Sequence, residues 1–180
     1  MRRLVALSLV LLPVAALARE QQKSVARLSP LDLALTTCER TFFHDASQLG
    51  DDYTVYRRLL GDAEKAQPGL RQSAQVWKSS EDSPRAFTIA QWIGKCDGWY
   101  AKAARAELSR ALASCDHAHR TGLAAPQASQ SYRTAVQNVT AVDASLLRSD
   151  HPFQGETVAV WVQRCDRWFS SHAPQDLARR

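Results

Sequence analysis

Methionine is almost missing from this chain: among 180 residues only Met1 is one. A matured form that loses residue 1 has no thioether, which excludes a methionine-ligated copper or haem site. The four cysteines, Cys38, Cys96, Cys115 and Cys165, form no CxxC pair and no CxxCH run. The spacings used for thiol–disulfide exchange and for covalently attached haem are therefore absent. There is no GxSxG, no phosphate-cradling glycine loop and no dinucleotide fingerprint. The five histidines, His44, His117, His119, His151 and His172, form no HxxxH or HExxH pattern. His117 and His119 are two residues apart and so point about 200° away from each other on a helix. Neither a metal nor a cofactor is expected. Lysine and arginine never cluster into a stripe, at a net charge of +5, so nucleic acid is not an expected partner.

What is present begins with a leader. Arg2 and Arg3 are followed by the apolar run Leu4–Leu12 and by Ala16-Leu17-Ala18, a small-x-small cleavage site. The run is too short to span a bilayer, and no later run of about 18 apolar residues follows, so no transmembrane segment is expected. The reading is a Sec-type signal over residues 1–18, and a single all-α domain over 19–180 in the periplasm or outside the cell. An even number of cysteines in such an oxidising compartment implies disulfides.

An internal repeat organises the rest. Thr88-Ile-Ala-Gln-Trp-Ile-Gly-Lys-Cys-Asp-Gly-Trp-Tyr100 aligns with Thr157-Val-Ala-Val-Trp-Val-Gln-Arg-Cys-Asp-Arg-Trp-Phe169, identical at six of thirteen positions. Upstream, Ala34-Leu35 before Cys38 matches Ala111-Leu112 before Cys115, and Tyr56-Arg57 matches Tyr132-Arg133. The expected fold is a bundle of about five helices made by two tandem disulfide-closed repeats, about 30–104 and about 105–172. Ser29-Pro30 starts a helix as N-cap and first-turn proline, and Ser83-Pro84 reads the same way. No proline interrupts 85–120, which predicts one long helix over about 84–120 shared by both repeats. A fourth helix is expected over about 127–147, a loop over 150–155 and a fifth helix over about 156–171. Val76-Trp77 reads as a short amphipathic turn.

Along such a shared helix Cys96 and Cys115 would stand about 28 Å apart, whereas a disulfide needs Cα atoms within about 7 Å. Two symmetric pairings remain: Cys38–Cys96 with Cys115–Cys165, or Cys38–Cys115 with Cys96–Cys165. The first closes each repeat on itself and is the expected one.

The candidate sites are repeated too. Trp92 and Trp99 flank Cys96, and Trp161 and Trp168 flank Cys165, in each case on one helix face. Core packing around a disulfide is the expected role, and a ligand cavity between helices is the alternative. Asp97 and Asp166 are expected to form structural ion pairs with Arg57 and Arg133, rather than to act as a catalytic carboxylate pair. Asn138-Val-Thr140 is a sequon only in a glycosylating host. The diverged connections, 67–84 and 148–156, carry the candidate partner-binding residues Trp77, His151, Phe153 and Gln154.

The disulfide-plus-helical-hairpin layout resembles that of the plant invertase and pectin methylesterase inhibitors, in layout and not in any motif. The expected function is non-catalytic binding of another exported protein, as an inhibitor, immunity or accessory/chaperone factor. A small-ligand carrier is the alternative, and an enzyme using Asp97 and Asp166 ranks behind both. Mass spectrometry of the exported protein should find the new N-terminus at Arg19 or Glu20, and an intact Met1 would contradict the leader.

Overall fold

The computed structural model describes residues 28–43, 49–78, 87–123 and 126–172. The leader, its cleavage site, His44 and Ser83-Pro84 lie outside the described residues. The fold is all-α. Its helices are α1 (Pro30–Phe43), α2 (Leu49–Ala66), α3 (Ile89–Thr121), α4 (Pro126–Asp143) and α5 (Val158–Ser171). Single 3-10 turns, Leu70–Gln72 and Ala144–Arg148, follow α2 and α4. Two minimal antiparallel hairpins, β1 (Val76–Trp77) with β2 (Phe87–Thr88) and β3 (Pro152–Phe153) with β4 (Glu156–Thr157), lead into α3 and α5.

Local chemistry fixes where each helix begins. Ser29 and Asp32 form a reciprocal cap: the Asp32 N–H donates to Ser29 Oγ at 3.1 Å, and the Ser29 N–H donates to Asp32 Oδ2 at 3.2 Å. Pro30 then occupies the first helical position, where no N–H is needed. The long helix starts at Ile89 and not near residue 84. Thr88 Oγ1 accepts the Gln91 N–H while Gln91 Oε1 accepts the Thr88 N–H, a complete capping box. Thr157 caps α5 with its hydroxyl alone, accepting the Val160 N–H. Threonine is at home both at the end of a strand and at an N-cap, which is why strand and helix meet at this residue. Gly122, at φ +66°, closes the other end of α3.

The helices pair as α1 with α2 and α3 with α4, and α2 lies on α4 to join the two pairs. Ala34, Leu35, Cys38 and Thr41 form the buried stripe of α1, and Tyr56, Leu60 and Ala63 that of α2. The stripe of α3 runs its whole length through Ile93, Cys96, Tyr100, Ala104, Leu108, Leu112 and Cys115. Steps of three and four keep these residues on one face. At 33 residues α3 is about 50 Å long and serves both helix pairs. Cys38 is bonded to Cys96 and Cys115 to Cys165, each with Cα atoms 6.0 Å apart. These bridges close loops of 58 and 50 residues, each contributing about 4 kcal/mol in the chain-entropy account.

Backbones approach most closely where α2 crosses α4. A Cβ on Gly50 would stand 2.6 Å from Asn138 Oδ1 and 3.0 Å from Asn138 Cα. Asn138 in turn donates from Nδ2 to Glu107 Oε1 at 2.8 Å. The amide is thus committed to a helix junction with no room for a glycan, so Asn138 is structural. Gly50→Ala should force α2 off α4, an overpacking cost of about 1–3 kcal/mol. Urea unfolding at neutral pH checks this, and an unchanged midpoint would contradict the crossing.

Candidate functional site

The two hairpin–helix junctions share one bonding scheme. In the first, the Ser73 N–H donates to Leu70 O, the Gln75 N–H to Ser73 Oγ, the Ile89 N–H to Gln75 O and the Ala90 N–H to Ser73 O. In the second, Ser149, His151, Val158 and Ala159 make the same four bonds, with Leu146 O, Ser149 Oγ, His151 O and Ser149 O as acceptors. These bonds satisfy the free N–H groups at the first turns of α3 and α5, which every helix leaves unpaired. Residues 70–77 therefore correspond to 146–153, position by position, in local geometry.

Each junction is locked to its neighbouring helix by a tyrosine and an aspartate. The Tyr56 hydroxyl donates to Asp97 Oδ1 at 3.0 Å and lies 3.5 Å from Ile93 O. The Tyr132 hydroxyl donates to Asp166 Oδ1 at 2.9 Å and lies 3.2 Å from Val162 O. The expected ion pairs are therefore corrected: Asp97 and Asp166 take their bonds from the tyrosines and not from Arg57 and Arg133, which stay exposed. The tyrosines sit on the buried stripes of α2 and α4; the arginines, one residue on, are rotated about 100° out of them. Asp97 does bind a cation, Arg71 of the first 3-10 turn, at 2.8 Å and partly exposed. Burial, with the adjacent carboxylate, pushes both tyrosine hydroxyls far above their ordinary value near 10. Tyr100 is pushed up to about 12 by burial, against the opposing effect of the Thr41 hydroxyl.

The tryptophans pack as core. Trp92 is buried, with Trp77 and Phe87 meeting it edge-on at 5.3 and 5.7 Å. Trp161 is buried beneath Phe153 at 5.6 Å, with the Arg164 guanidinium 4.6 Å from its ring centre and held by Glu156. Trp99 meets Phe42 edge-on, and Trp168 lies between His119 and His172. At Trp92 the neighbouring rings occupy the space beside the indole.

One difference between the two junctions concerns how each is covered. Trp77, expected on a partner surface, is instead 9% exposed, and its Nε1–H donates to Asp32 Oδ1 of α1 at 3.0 Å. Its indole spans the interval between the first hairpin and α1. Leu70 and Ile89 of the same junction are 1% and 2% exposed. In the second junction Phe153 stands where Trp77 does, and Ser109 of α3, six residues before Cys115, stands where Asp32 does, six before Cys38. Phenylalanine has no N–H and a shorter reach, so no such bridge forms. An open cleft of about 380 Å³ lies there, lined by Arg105, Leu108, Ser109, Leu146, Ser149, His151 and Val158.

Of the other predicted partner-binding residues, His151 is exposed and lines the cleft, and Phe153 is half-buried on Trp161. Gln154 is at the exposed tip. Gln154 and Gly155 both have positive φ, +50° and +87°, as a two-residue type I′ turn requires. Ser109 and Leu146 belong to the site and were missed by motif; the paired Leu-x-x-Ser-x-x-x-aromatic spacing of 70–77 and 146–153 was the signal that could have found the cleft. Among the described residues no group of three His, Cys, Asp or Glu could hold a metal ion, and no helix is long and apolar enough to cross a membrane. No family model, curated protein or solved structure matches the chain.

The raised tyrosines set an alkaline limit. The folded chain keeps protons that the unfolded chain loses near pH 10, so stability is full below that value and falls as pH rises through it. Denaturant titrations between pH 8 and 11 should show this fall, and Tyr56→Phe with Tyr132→Phe should flatten it. An equal slope in both proteins would contradict the locks.

Proposed function

We propose that the chain is an exported, non-catalytic helical protein that binds another protein through the β3–β4 hairpin and the cleft beside it, as an inhibitor, immunity or accessory factor. One observation carries this reading: the two junctions share their bonding, yet the first is sealed by Trp77 and Asp32 while the second stays open. Backbone strain at the tip supports it, because a glutamine in the left-handed region costs about 1–2 kcal/mol, and such cost tends to persist where a site requires it. Two disulfides fit an oxidising compartment, and residues 1–18 read as the export signal.

The carboxylates support a binding role over catalysis. Asp97 adjoins Cys96, and Asp166 adjoins Cys165, whose partner Cys115 lies about 28 Å further along α3. The two acids therefore belong to opposite ends of the spine, each engaged by its own tyrosine. The runner-up, carriage of a small organic ligand, draws its support from the cleft volume, which lies within the range of about 300–1,000 Å³ usual for such sites.

A photo-crosslinking residue at Gln154, compared with one at exposed Gln127 on α4, tests the reading in the native exported fraction. The expected result is one discrete adduct from position 154 and none from 127. Equal labelling at both positions, or none at either, would remove the hairpin from the binding surface.

A further inference from the structure

We infer that the open cleft of the second junction is a receptor for a single tryptophan side chain presented by the protein partner. This rests on the reading of the β3–β4 hairpin as the binding element and adds the chemistry of what it takes. The molecule holds its own template. At the first junction an indole lies edge-on to Trp92 and gives its N–H to a side-chain oxygen of the helix six residues before the cysteine, and Leu70 and Ile89 of that junction are buried. At the second junction Phe153 holds the edge of Trp161, and the space beyond that shorter ring keeps the apolar floor, with Leu146 and Val158 in place of Leu70 and Ile89 and with Leu108 added.

The acceptor is kept as well. The Ser109 hydroxyl donates to Arg105 O at 3.0 Å, so its single proton is committed and its lone pairs remain for an incoming N–H. At the mouth, Arg105 offers a guanidinium, which favours an aromatic face. Leu146 and Val158 are only half-buried, unlike their sealed counterparts, so the apolar floor is incompletely covered by the chain itself. What the first junction supplies internally through Trp77, the second is shaped to receive from outside.

The test uses the oxidised, matured protein and blocked tripeptides with a central Trp, Phe or Ala between glycines, followed by methyl NMR shifts. The Trp peptide should bind saturably with a Kd of about 1 mM, as one anchor residue allows. It should move the methyls of Leu108, Leu146 and Val158, and bind at least tenfold more tightly than the Ala peptide and several-fold more tightly than the Phe peptide. Ser109→Trp, at an exposed helix position, should plug the cleft and abolish these shifts. Ser109→Asp with Phe153→Trp should rebuild the internal bridge to the same effect, each variant being checked for an unchanged circular dichroism spectrum. Equal binding of the Trp and Ala peptides, or binding that survives both variants, overturns the inference. So does a free indole carboxylate that binds at least as tightly as the Trp peptide, since that moves the site to small-ligand carriage. A Gln154 crosslink that persists in Ser109→Trp would leave the hairpin reading standing and sink the tryptophan receptor alone.

Discussion

The continuity of α3 is the constraint on which the rest depends. One helix of 33 residues carries Cys96 and Cys115 on the same buried stripe, too far apart to bond each other. Each must therefore reach a cysteine on another helix, and the pairings with Cys38 and Cys165 fasten α1 to one end of the spine and α5 to the other. Hairpins α1–α2 and α3–α4 then close with α2 against α4 at the Gly50–Asn138 crossing. The bridges restrict the unfolded chain, while the apolar stripes supply the attraction that brings the helices together.

On that frame the two hairpin junctions are built alike and covered differently. Serine, threonine and backbone groups satisfy the starts of α3 and α5 by the same four loop bonds and a threonine cap, and tyrosine–aspartate locks hold both to the neighbouring helix. A hydrogen bond to a charged acceptor contributes about 1.5–3 kcal/mol, at the low end where, as for Asp166, the acid is exposed. Two side chains then separate the closed junction from the open one. Trp77 with Asp32 closes one junction; Phe153 with Ser109 leaves the other open. A cleft made by omission carries no catalytic or ligand-binding motif of its own, and its trace in the sequence is the paired Leu-x-x-Ser-x-x-x-aromatic spacing.

This explains how far the sequence could be read. The helices, the long spine and the choice of cysteine partners follow from periodicity and from a distance limit, both strong signals. The hairpins did not emerge because two-residue strands have no periodicity; Val76-Trp77 read as a turn, 150–155 as a loop, and 156–157 and 84–88 as helix. The 3-10 turn at 144–148 likewise read as the tail of α4. Tyr56-Arg57 and Tyr132-Arg133 stand out in the sequence as matched pairs, but opposite charge points to the arginine where burial selects the tyrosine. Trp77 read as surface because it lies in a diverged connection, and only the reach of its N–H to Asp32 on α1 places it inside.

Amide hydrogen exchange along α3 tests the spine most directly. Amides from Ala101 to Arg110, midway between the two disulfide-bonded cysteines, should be as protected as those around Cys96 and Cys115. A fast-exchanging patch there would divide α3 into two helices and contradict the account.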